Sequence, residues 1–279
     1  MQTIVKTLKL TSKDENSIVV YLLNIVDSTI NKSTKIYGLD LSGWVKKALN
    51  NIPYIELDYE GSDLVEFLKP KMVNSKYSII LFSNTPLITT SSILKIVEYV
   101  TIKDINACKF SGGFAFKNEY LLRAKQIQFD AILPLDEEEF LIVNNPSSLK
   151  FATKILHDRI IQKHLNNGVE IIGNSDIDEP VEIGKSCMIF NGNVIKGNTT
   201  ISENTILKEN NIIEDCVIGQ DVCVAGSNLV NSKIEDNVFI LPYCYINNAT
   251  IRKNCYISSN EVVENRTLRA GTRLPKEKK

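Results

Sequence analysis

The stretch IDEPVEIGKSCMIFNGNVIKGNTTISENTIL, residues 177 to 207, decides the fold of the second half of this 279-residue chain. A large aliphatic residue recurs in it every six positions, at Ile177, Ile183, Ile189, Ile195, Ile201 and Leu207. A period of six is wrong for an α-helix and too long for a strand that simply alternates. It fits a chain that turns a corner every six residues and points one aliphatic side chain inward between corners. The stretch therefore predicts a parallel β-helix of hexapeptide repeats.

The six-residue period continues beyond residue 207 with three short slips. The later aliphatic positions are Ile213, Ile218, Val224, Val230, Ile234, Ile240, Ile246, Ile251, Ile257 and Val263. Because three repeats close one triangular coil, the series predicts about five coils. The corners need residues that tolerate positive φ, which many Asn and Asp residues and four glycines supply. These glycines are Gly184, Gly197, Gly219 and Gly226.

The first 146 residues have a different pattern, in which strand-like and helix-like segments follow one another. Amphipathic segments predict helices at 41–51, capped by Ser42, and at 89–100, capped by Thr89 or Thr90. Short apolar runs predict strands at 53–59, 77–82, 105–110, 112–116 and 139–143. This alternation indicates an α/β layered domain over residues 1–146, although the role of residues 1–40 in its sheet stays open.

Residues 147–168 are predicted to form a linking helix between the two halves. Asn145 and Pro146 are typical of its start, and Asn167 with Gly168 of its end. Both histidines of the chain, His157 and His164, lie on it seven residues apart and thus on nearly the same face. A metal-binding or catalytic pair is one interpretation, but a packed or solvated helix face is favoured.

Composition excludes several classes of function. The chain has 32 basic and 33 acidic residues and a net charge of −1. It therefore has no net positive electrostatic field that would attract nucleic acid or anionic lipid. No window offers the roughly 18 uninterrupted apolar residues of a membrane span, and the first 17 residues lack the apolar core of a signal peptide. A cytoplasmic protein is expected. The six cysteines form no CxxC pair, which predicts buried thiols rather than a zinc site.

The order of an α/β half, a linking helix and a hexapeptide half resembles a bacterial enzyme family. This is the bifunctional N-acetylglucosamine-1-phosphate uridylyltransferase and glucosamine-1-phosphate acetyltransferase family. SNTPLIT (83–89) is similar to its glycine-aspartate-x-proline-leucine turn, SGGFAF (111–116) to its sugar-binding strand and IVNNPSSL (142–149) to its glycine-valine-asparagine motif. GVEII (168–172) and NGNVIKGNTTI (191–201) resemble the start of its β-helix.

The resemblance implies a nucleotidyltransferase-like, Rossmann-like α/β domain followed by a left-handed parallel β-helix. The domains expected are 1–146, the linking helix 147–168, the β-helix 169–265 and a C-terminal tail 266–279. Asn84 and Asn144 match the residues that hold Mg²⁺ in the family, and with Gly112 and Gly113 they are the substrate-binding candidates. The plainer interpretations are that Asn84 hydrogen-bonds its own turn and that the two glycines form a tight turn into a strand.

Departures from the family are equally informative. No glycine precedes Gly38 and no arginine precedes Arg123, so the glycine-rich phosphate loop and its basic clamp have no match. Asn84 stands where the family has an acidic metal ligand, and an amide binds Mg²⁺ more weakly than a carboxylate. No histidine follows His164, and Asn247 stands where the family has a phosphate-binding arginine. The sequence also ends before the coils that would carry further acetyl-transfer residues.

These departures leave two hypotheses of different classes. The first is a degenerate and truncated member that has lost catalysis and serves as a nucleotide-sugar-binding, regulatory or assembly subunit. The alternative is an active sugar-1-phosphate nucleotidyltransferase with an atypical phosphate and Mg²⁺ site, while acetyltransferase activity is not expected. Either way, the resemblance implies a homotrimer assembled through the β-helix, since hexapeptide β-helices usually pack as parallel trimers.

Overall fold

A computed structural model describes residues 18–25, 30, 34–61 and 63–275, which belong to two compact units. The first unit takes its described residues from Met1–Thr34 and Leu39–Ala152, and the second from Lys35–Gly38 and Thr153–Lys279. We call them the α/β unit and the β-helix unit. The inferences drawn from the first 17 residues concern a segment outside the described part.

The elements that precede the β-helix alternate in type, as the sequence predicts. In chain order they are β1 (Ile18–Ile25), β2 (Lys35–Ile36), β3 (Leu39–Asp40), α1 (Leu41–Leu49), β4 (Tyr54–Tyr59), α2 (Leu64–Leu68), a 3-10 helix (Lys69–Lys71), β5 (Tyr77–Phe82), α3 (Thr90–Ile102), β6 (Ala107–Phe110), β7 (Gly113–Lys117), α4 (Asn118–Arg123), β8 (Ala131–Leu133) and α5 (Pro146–Asn166).

The α/β unit is built on a six-stranded sheet of order β4-β1-β5-β7-β6-β8. β4, β1 and β5 are parallel, whereas β7 runs antiparallel to both of its neighbours. Successive side chains of β1 enter two separate apolar clusters, because a strand points alternate residues to opposite faces. One cluster holds Leu22 with Val45 of α1 and Ile93 of α3, and the other holds Leu23 with Leu121 of α4. Helices therefore cover both faces of the sheet.

Three details of the α/β unit differ from the expectations or extend them. The prediction of a strand at 139–143 is wrong, because that segment is a turn followed by irregular chain. The Val143 N–H in this segment donates to the Asn84 carbonyl at 2.8 Å. The cap of α1 is Asp40 rather than Ser42, since its carboxylate accepts from Gly43 N at 2.5 Å. Thr89 is confirmed as the cap of α3. β1, which the sequence left open, lies between β4 and β5.

The β-helix unit contains a left-handed parallel β-helix with three flat faces. Face 1 consists of β9 (Glu170–Ile171), β12 (Met188–Ile189), β15 (Ile206–Leu207), β18 (Cys223–Val224), β21 (Phe239–Ile240), β24 (Tyr256–Ile257) and β27 (Arg273–Leu274). Face 2 consists of β10 (Asp176–Ile177), β13 (Val194–Lys196), β16 (Ile212–Glu214), β19 (Asn228–Val230), β22 (Tyr245–Asn247) and β25 (Val262–Glu264). Face 3 consists of β11 (Glu182–Ile183), β14 (Thr200–Ile201), β17 (Val217–Ile218), β20 (Lys233–Ile234), β23 (Thr250–Ile251) and β26 (Thr267–Leu268).

The hexapeptide series identifies the inward side chains correctly except at one position. Leu229 is fully buried and Val230 is only partly buried, so the inward residue of β19 is Leu229. Two adjacent apolar residues made the sequence ambiguous there. Faces 2 and 3 each have six strands, which gives six coils rather than about five. β26 and β27 lie within the segment 266–279 that was expected to be a tail, so the β-helix extends to Leu274.

The corners carry residues with left-handed backbone conformation, as expected from the Asn and Asp content. Asn204, Asn237 and Asn254 occupy one column of corners with φ of 58°, 56° and 61°. Gly197 also has positive φ, but Gly184 does not. A Cβ at Gly184 would lie 2.7 Å from the Glu203 nitrogen, so this glycine is required by the close approach of the next coil.

Small polar side chains line the inside of the corners and join one coil to the next. The Asn211 amide nitrogen donates to Asn193 Oδ1 at 2.9 Å, and Asn211 Oδ1 accepts from Ser227 N at 3.0 Å. Cysteines occupy equivalent inner positions, and the Cys187 and Cys244 thiols each donate to a backbone carbonyl at 3.0 Å. Burial raises the pKa of both thiols. The prediction of buried cysteines is confirmed for these two residues.

Candidate functional site

A cavity of about 260 Å³ lies in the α/β unit where β1 and β5 end. Parallel strands of a sheet present their carboxyl ends at one edge, and α/β folds place ligands at such edges. Asn24 and Ile25 come from the end of β1, Ser83 and Asn84 follow β5, and Glu56 comes from β4. The remaining lining residues are Ile30, Asp40, Leu41, Ser42 and Lys46, most of them from the start of α1.

Asn84 is buried, with 8% of its surface exposed, and it lines this cavity. Its amide nitrogen donates to the Val143 carbonyl at 3.3 Å, and its backbone carbonyl accepts from Val143 N. Its side-chain oxygen, Oδ1, is buried and has no hydrogen-bond partner among the described residues. Asn84 therefore anchors the loop before α5, and its side-chain oxygen is a buried acceptor without a partner among the described residues.

Asn144 follows Val143 directly, so the structure brings the two asparagine candidates into one region. Asn144 is exposed, and its Oδ1 accepts from the Asn145 side chain at 2.8 Å. Its backbone N–H donates to Ser148 Oγ in the first turn of α5. These contacts give Asn144 a role in starting the linking helix, whereas its role in binding stays a prediction.

Gly112 and Gly113 are held by packing within the α/β unit. Gly112 has a φ of 72°, and a Cβ there would lie 3.0 Å from Phe140 Cβ. A Cβ at Gly113 would lie 2.4 Å from the Ile80 carbonyl on the neighbouring strand β5. Both glycines are thus explained by close contacts to protein atoms, and their contact with a sugar stays a prediction.

The residues present fit a magnesium ion poorly. The Asn84 side-chain nitrogen already donates to the Val143 carbonyl, and Asn144 Oδ1 already accepts a hydrogen bond. Within residues 18–25, 30, 34–61 and 63–275, no group of three His, Cys, Asp or Glu side chains could hold a metal ion. Mg²⁺ prefers carboxylates, waters and phosphate oxygens in an octahedral arrangement. No step of a reaction is therefore assigned to a metal at this position.

In the acidic run at residues 136–139, Glu139 is held by hydrogen bonds, whereas the other three residues are exposed. The Glu139 carboxylate accepts from the Thr89 hydroxyl at 2.8 Å and from the Ser92 hydroxyl at 2.5 Å, at the N-terminus of α3. A carboxylate is favourable there because the helix dipole is positive at that end. The sequence analysis missed this contact, since 47 residues separate Ser92 from Glu139.

The two histidines on α5 have separate environments. His157 Nε2 lies 3.1 Å from the Ser175 carbonyl, and its ring packs against Tyr37 at 5.6 Å between centroids. His164 is buried, with 2% of its surface exposed, and its Nε2 has no hydrogen-bond partner within the described ranges. Burial, helped by the nearby charge of Lys163, lowers the pKa of His164 to about 4. The favoured interpretation of a packed helix face is confirmed for both residues.

Four polar or charged residues of the cavity escaped the sequence analysis. Asp40 caps α1, and Lys46 of α1 forms an ion pair with Glu56 of β4. Asn24, at the end of β1, donates to Asp58 of β4 at 3.3 Å. They belong to four different elements, β1, β3, α1 and β4, and form no local motif. The pairing of β1 with β4 brings Asn24 and Glu56 onto neighbouring strands. A strand assignment for residues 18–25 would have been the signal needed to find them.

Comparison with known proteins finds bacterial proteins that are similar to part of this chain. Bifunctional protein GlmU of Clostridium beijerinckii is 36% identical over 140 residues, and that of Listeria welshimeri is 33% identical over 201 residues. GlmU of Streptococcus suis is 31% identical over 180 residues. Over these stretches the chain is similar to GlmU. The matches cover 49%, 62% and 63% of it, but only 31%, 43% and 39% of those relatives.

No protein-family model matches the chain. The crystal structure of PerB from Caulobacter crescentus, in complex with CoA and GDP-perosamine, covers 92% of the chain with 10% identity and a TM-score of 0.30. None of the helices formed by the described residues has the length and apolar composition needed to cross a bilayer.

Proposed function

We propose that this GlmU-like chain is a binding and assembly subunit that transfers neither nucleotidyl nor acetyl groups. The observation that carries the proposal is Asn84, an amide where the resemblance places an acidic metal ligand. Its side-chain nitrogen donates to the Val143 carbonyl, so the side chain has a structural role in holding the loop before α5. The sequence between Ile25 and Tyr37 contains neither glycine nor arginine, which leaves the β- and γ-phosphates of a nucleotide without a cradle there.

The test of this proposal is an assay for released pyrophosphate. The chain would be incubated with UTP, Mg²⁺ and N-acetylglucosamine 1-phosphate, and separately with acetyl-CoA and glucosamine 1-phosphate to detect free thiol. Neither product should exceed the protein-free blank. An Asn84→Asp variant should stay inactive as well, because it restores the acid without the phosphate loop. Turnover by the unmodified chain would favour the alternative, a surviving nucleotidyltransferase.

Assembly is supported by the outer surface of the β-helix. The first outward residue of each strand forms a column along each face. On face 1 this column is apolar from Met188 through Ile206, Cys223 and Phe239 to Tyr256. On face 2 it includes Val194, Ile212, Tyr245 and Val262. On face 3 it is mainly polar, with Glu182, Thr200, Val217, Lys233, Thr250 and Thr267.

Two adjoining apolar faces suit a ring of copies better than a twofold dimer. In a closed ring each chain presents two different patches, one to each neighbour, whereas a twofold interface needs a single self-complementary patch. Tyr243, at the edge between faces 1 and 2, is 78% exposed and has a φ of 67°. A bulky residue rarely adopts this conformation, and large exposed aromatics are enriched at the centres of interfaces. We therefore expect a homotrimer with this edge turned towards the other copies.

Light scattering at several concentrations tests the trimer, with three times the 31.4 kDa chain mass as the expected result. Phe239→Asp on face 1 should dissociate it, since a charge would be buried in an apolar contact. Val217→Asp on face 3 is the matched control, because the two side chains are 49% and 50% exposed. A monomeric mass for the unmodified chain, or equal effects of the two variants, would contradict the proposed interface.

A further inference from the structure

The edge between faces 3 and 1 of the β-helix consists of corners that stack directly on one another. Its last four corners are residues 219–221, 235–237, 252–254 and 269–271, and we call these four corners the ridge. In each of the last three, a backbone N–H donates to a carbonyl of the corner before it. Because adjacent parallel strands lie about 4.8 Å apart, the side chains of the ridge form one continuous row.

The sign of the charge reverses halfway along the ridge. The first two corners carry only acidic charges and the last two only basic ones, so the four corners have charges of −1, −2, +2 and +1. The same series is obtained when its direction and its signs are both reversed. In chain order the charged residues are Asp221, Glu235, Asp236, Arg252, Lys253 and Arg269.

These charges are not neutralised inside the chain. The three basic side chains are exposed, and none of them forms an ion pair with a described residue. Two carboxylates are held by the backbone instead: Asp236 Oδ1 accepts from Gln220 N at 3.0 Å, and Glu235 Oε2 accepts from Lys253 N at 3.1 Å. Acidic and basic residues thus adjoin along the ridge without an ion pair between them, and both signs are available to a partner.

A row with this pattern is complementary to a second copy of itself. A twofold axis between corners 235–237 and 252–254 would place two ridges side by side and antiparallel. Corner 235–237 would then face corner 252–254 of the second copy, and corner 219–221 would face its corner 269–271. Every negative corner meets a positive corner of equal magnitude, and every contact occurs twice. A twofold interface requires such a self-complementary patch.

Other partners fit the ridge less well. Nucleic acid, anionic lipid or an acidic peptide would be repelled by its acidic half, and a basic peptide by its basic half. Parallel pairing of two ridges would place like charges opposite one another. Complementary charges determine the orientation of a complex more than its affinity, and exposed ion pairs are individually weak and screened by salt. A contact made by the ridge should therefore be weak and sensitive to salt.

We propose that the ridge is a second assembly surface, at which two copies of this chain pair antiparallel through opposite charges. The inference goes beyond the proposed function, because a trimer held by apolar faces does not require it. The two contacts also differ in chemistry. High salt weakens the contact between ridges and leaves apolar contacts in place.

Light scattering by the full chain at about 0.01 M and about 1 M salt tests the proposal, since the Debye length is about 30 Å and about 3 Å under these conditions. Whatever species is present at high salt, the low-salt mass should be at least about twice as large, because each ridge adds a further copy. Equal masses at the two salt concentrations would overturn the proposal. The high-salt mass reports separately on the trimer, so the two failures are distinguishable.

Charge reversal identifies the contact. Lys253→Glu and Asp236→Lys should each abolish the increase in mass at low salt, because each places like charges opposite one another. A mixture of the two variants should regain it, since Asp236 of one chain faces Lys253 of the other and the introduced glutamate faces the introduced lysine. Arg269→Glu and Asp221→Lys repeat the test at the outer corners. Lys233→Glu, an exposed residue of face 3, makes the same change in net charge and should keep the increase.

Recovery in either mixture, with the increase kept by the control, is the supporting result. Melting temperatures show which variants are folded, and the outer pair replaces the inner pair if an inner variant is not. Loss of the increase in the control, or no recovery in a mixture of two folded variants, would overturn the pairing of ridges.

Discussion

Hydrogen bonds within the two units connect residues at very different separations along the chain. In the β-helix unit, Asn193 and Asn211 are bonded across 18 residues, and the same offset recurs with small changes in every coil. In the α/β unit, Asn24 reaches Asp58 across 34 residues and Asn84 reaches Val143 across 59. A repeated short offset leaves a period in the sequence, whereas irregular long offsets leave none. Each coil of a solenoid contacts only its neighbours. A destabilising substitution should therefore loosen a small part of the β-helix but a large part of the α/β sheet.

The largest effect is expected from truncating one inward aliphatic residue in each unit. Ile213→Ala in the β-helix and Ile80→Ala in the α/β sheet each remove a fully buried side chain and should cost about 2–5 kcal/mol. Hydrogen exchange should separate the two cases. Ile213→Ala should raise exchange in the adjoining coils only, whereas Ile80→Ala should raise it across the whole α/β sheet.

Ile212→Ala is the matched control for the β-helix variant. Ile212 is adjacent in sequence but 47% exposed, so its truncation should change the stability of a single chain by less than about 0.5 kcal/mol. Equal destabilisation by Ile212→Ala and Ile213→Ala would contradict the inward and outward assignment. Loss of protection from hydrogen exchange in every coil after Ile213→Ala would contradict the expectation that each coil depends only on its neighbours.

An intermediate effect is expected from mild acid in the β-helix unit, because both histidines belong to that unit. The pKa of His164 is lowered from 6.5 to about 4 in the folded chain. Between these values the unfolded chain binds the proton and the folded chain does not, so stability falls as the pH falls from about 6.5 to about 4 and then levels. Thermal unfolding followed over this range measures the effect.

His164→Leu is the companion variant for the acid experiment. It removes the titrating group and its unpartnered nitrogen, so the melting temperature of the β-helix unit should no longer fall as the pH is lowered from 6.5 to 4. The Lys163 and Glu179 side chains, which form an ion pair at 3.1 Å near His164, stay in place. An unchanged pH profile would show that another group is responsible.

The smallest effects concern single backbone positions, and here the two units should behave alike. Thr89→Ala removes the cap of α3, whose hydroxyl accepts from Ser92 N, and Asn204→Ala places alanine at a φ of 58°. Each should cost about 1 kcal/mol. Thr89→Ser and Asn204→Gly should recover most of the loss in chemical denaturation. A loss of several kcal/mol at Asn204 would mean that its side chain, rather than its backbone, holds the corner.

The sequence predicted the β-helix far better than the candidate site. Each inward isoleucine is placed by a local period, so only Leu229 was missed, where Val230 offers an equally apolar neighbour. In the α/β unit the local signals were correct for β4, β5 and α3. They failed at 139–143, where an apolar run serves as a loop braced by Asn84. The cavity could not be predicted, because Asn24, Asp40 and Glu56 become neighbours only when the sheet forms.

The edge between faces 2 and 3 shows where related β-helices can gain or lose a residue. The step across it is six residues from Ile195 to Ile201 but five from Ile213 to Ile218, and both coils keep their inward side chains in register. One residue can therefore be lost at this corner without shifting the ladder above or below. Insertions and deletions between related β-helices should accumulate at this edge, where Asp215 and Asn231 form the turns, and should be rare within the strands. The corner is a place where the gene can tolerate a lost codon.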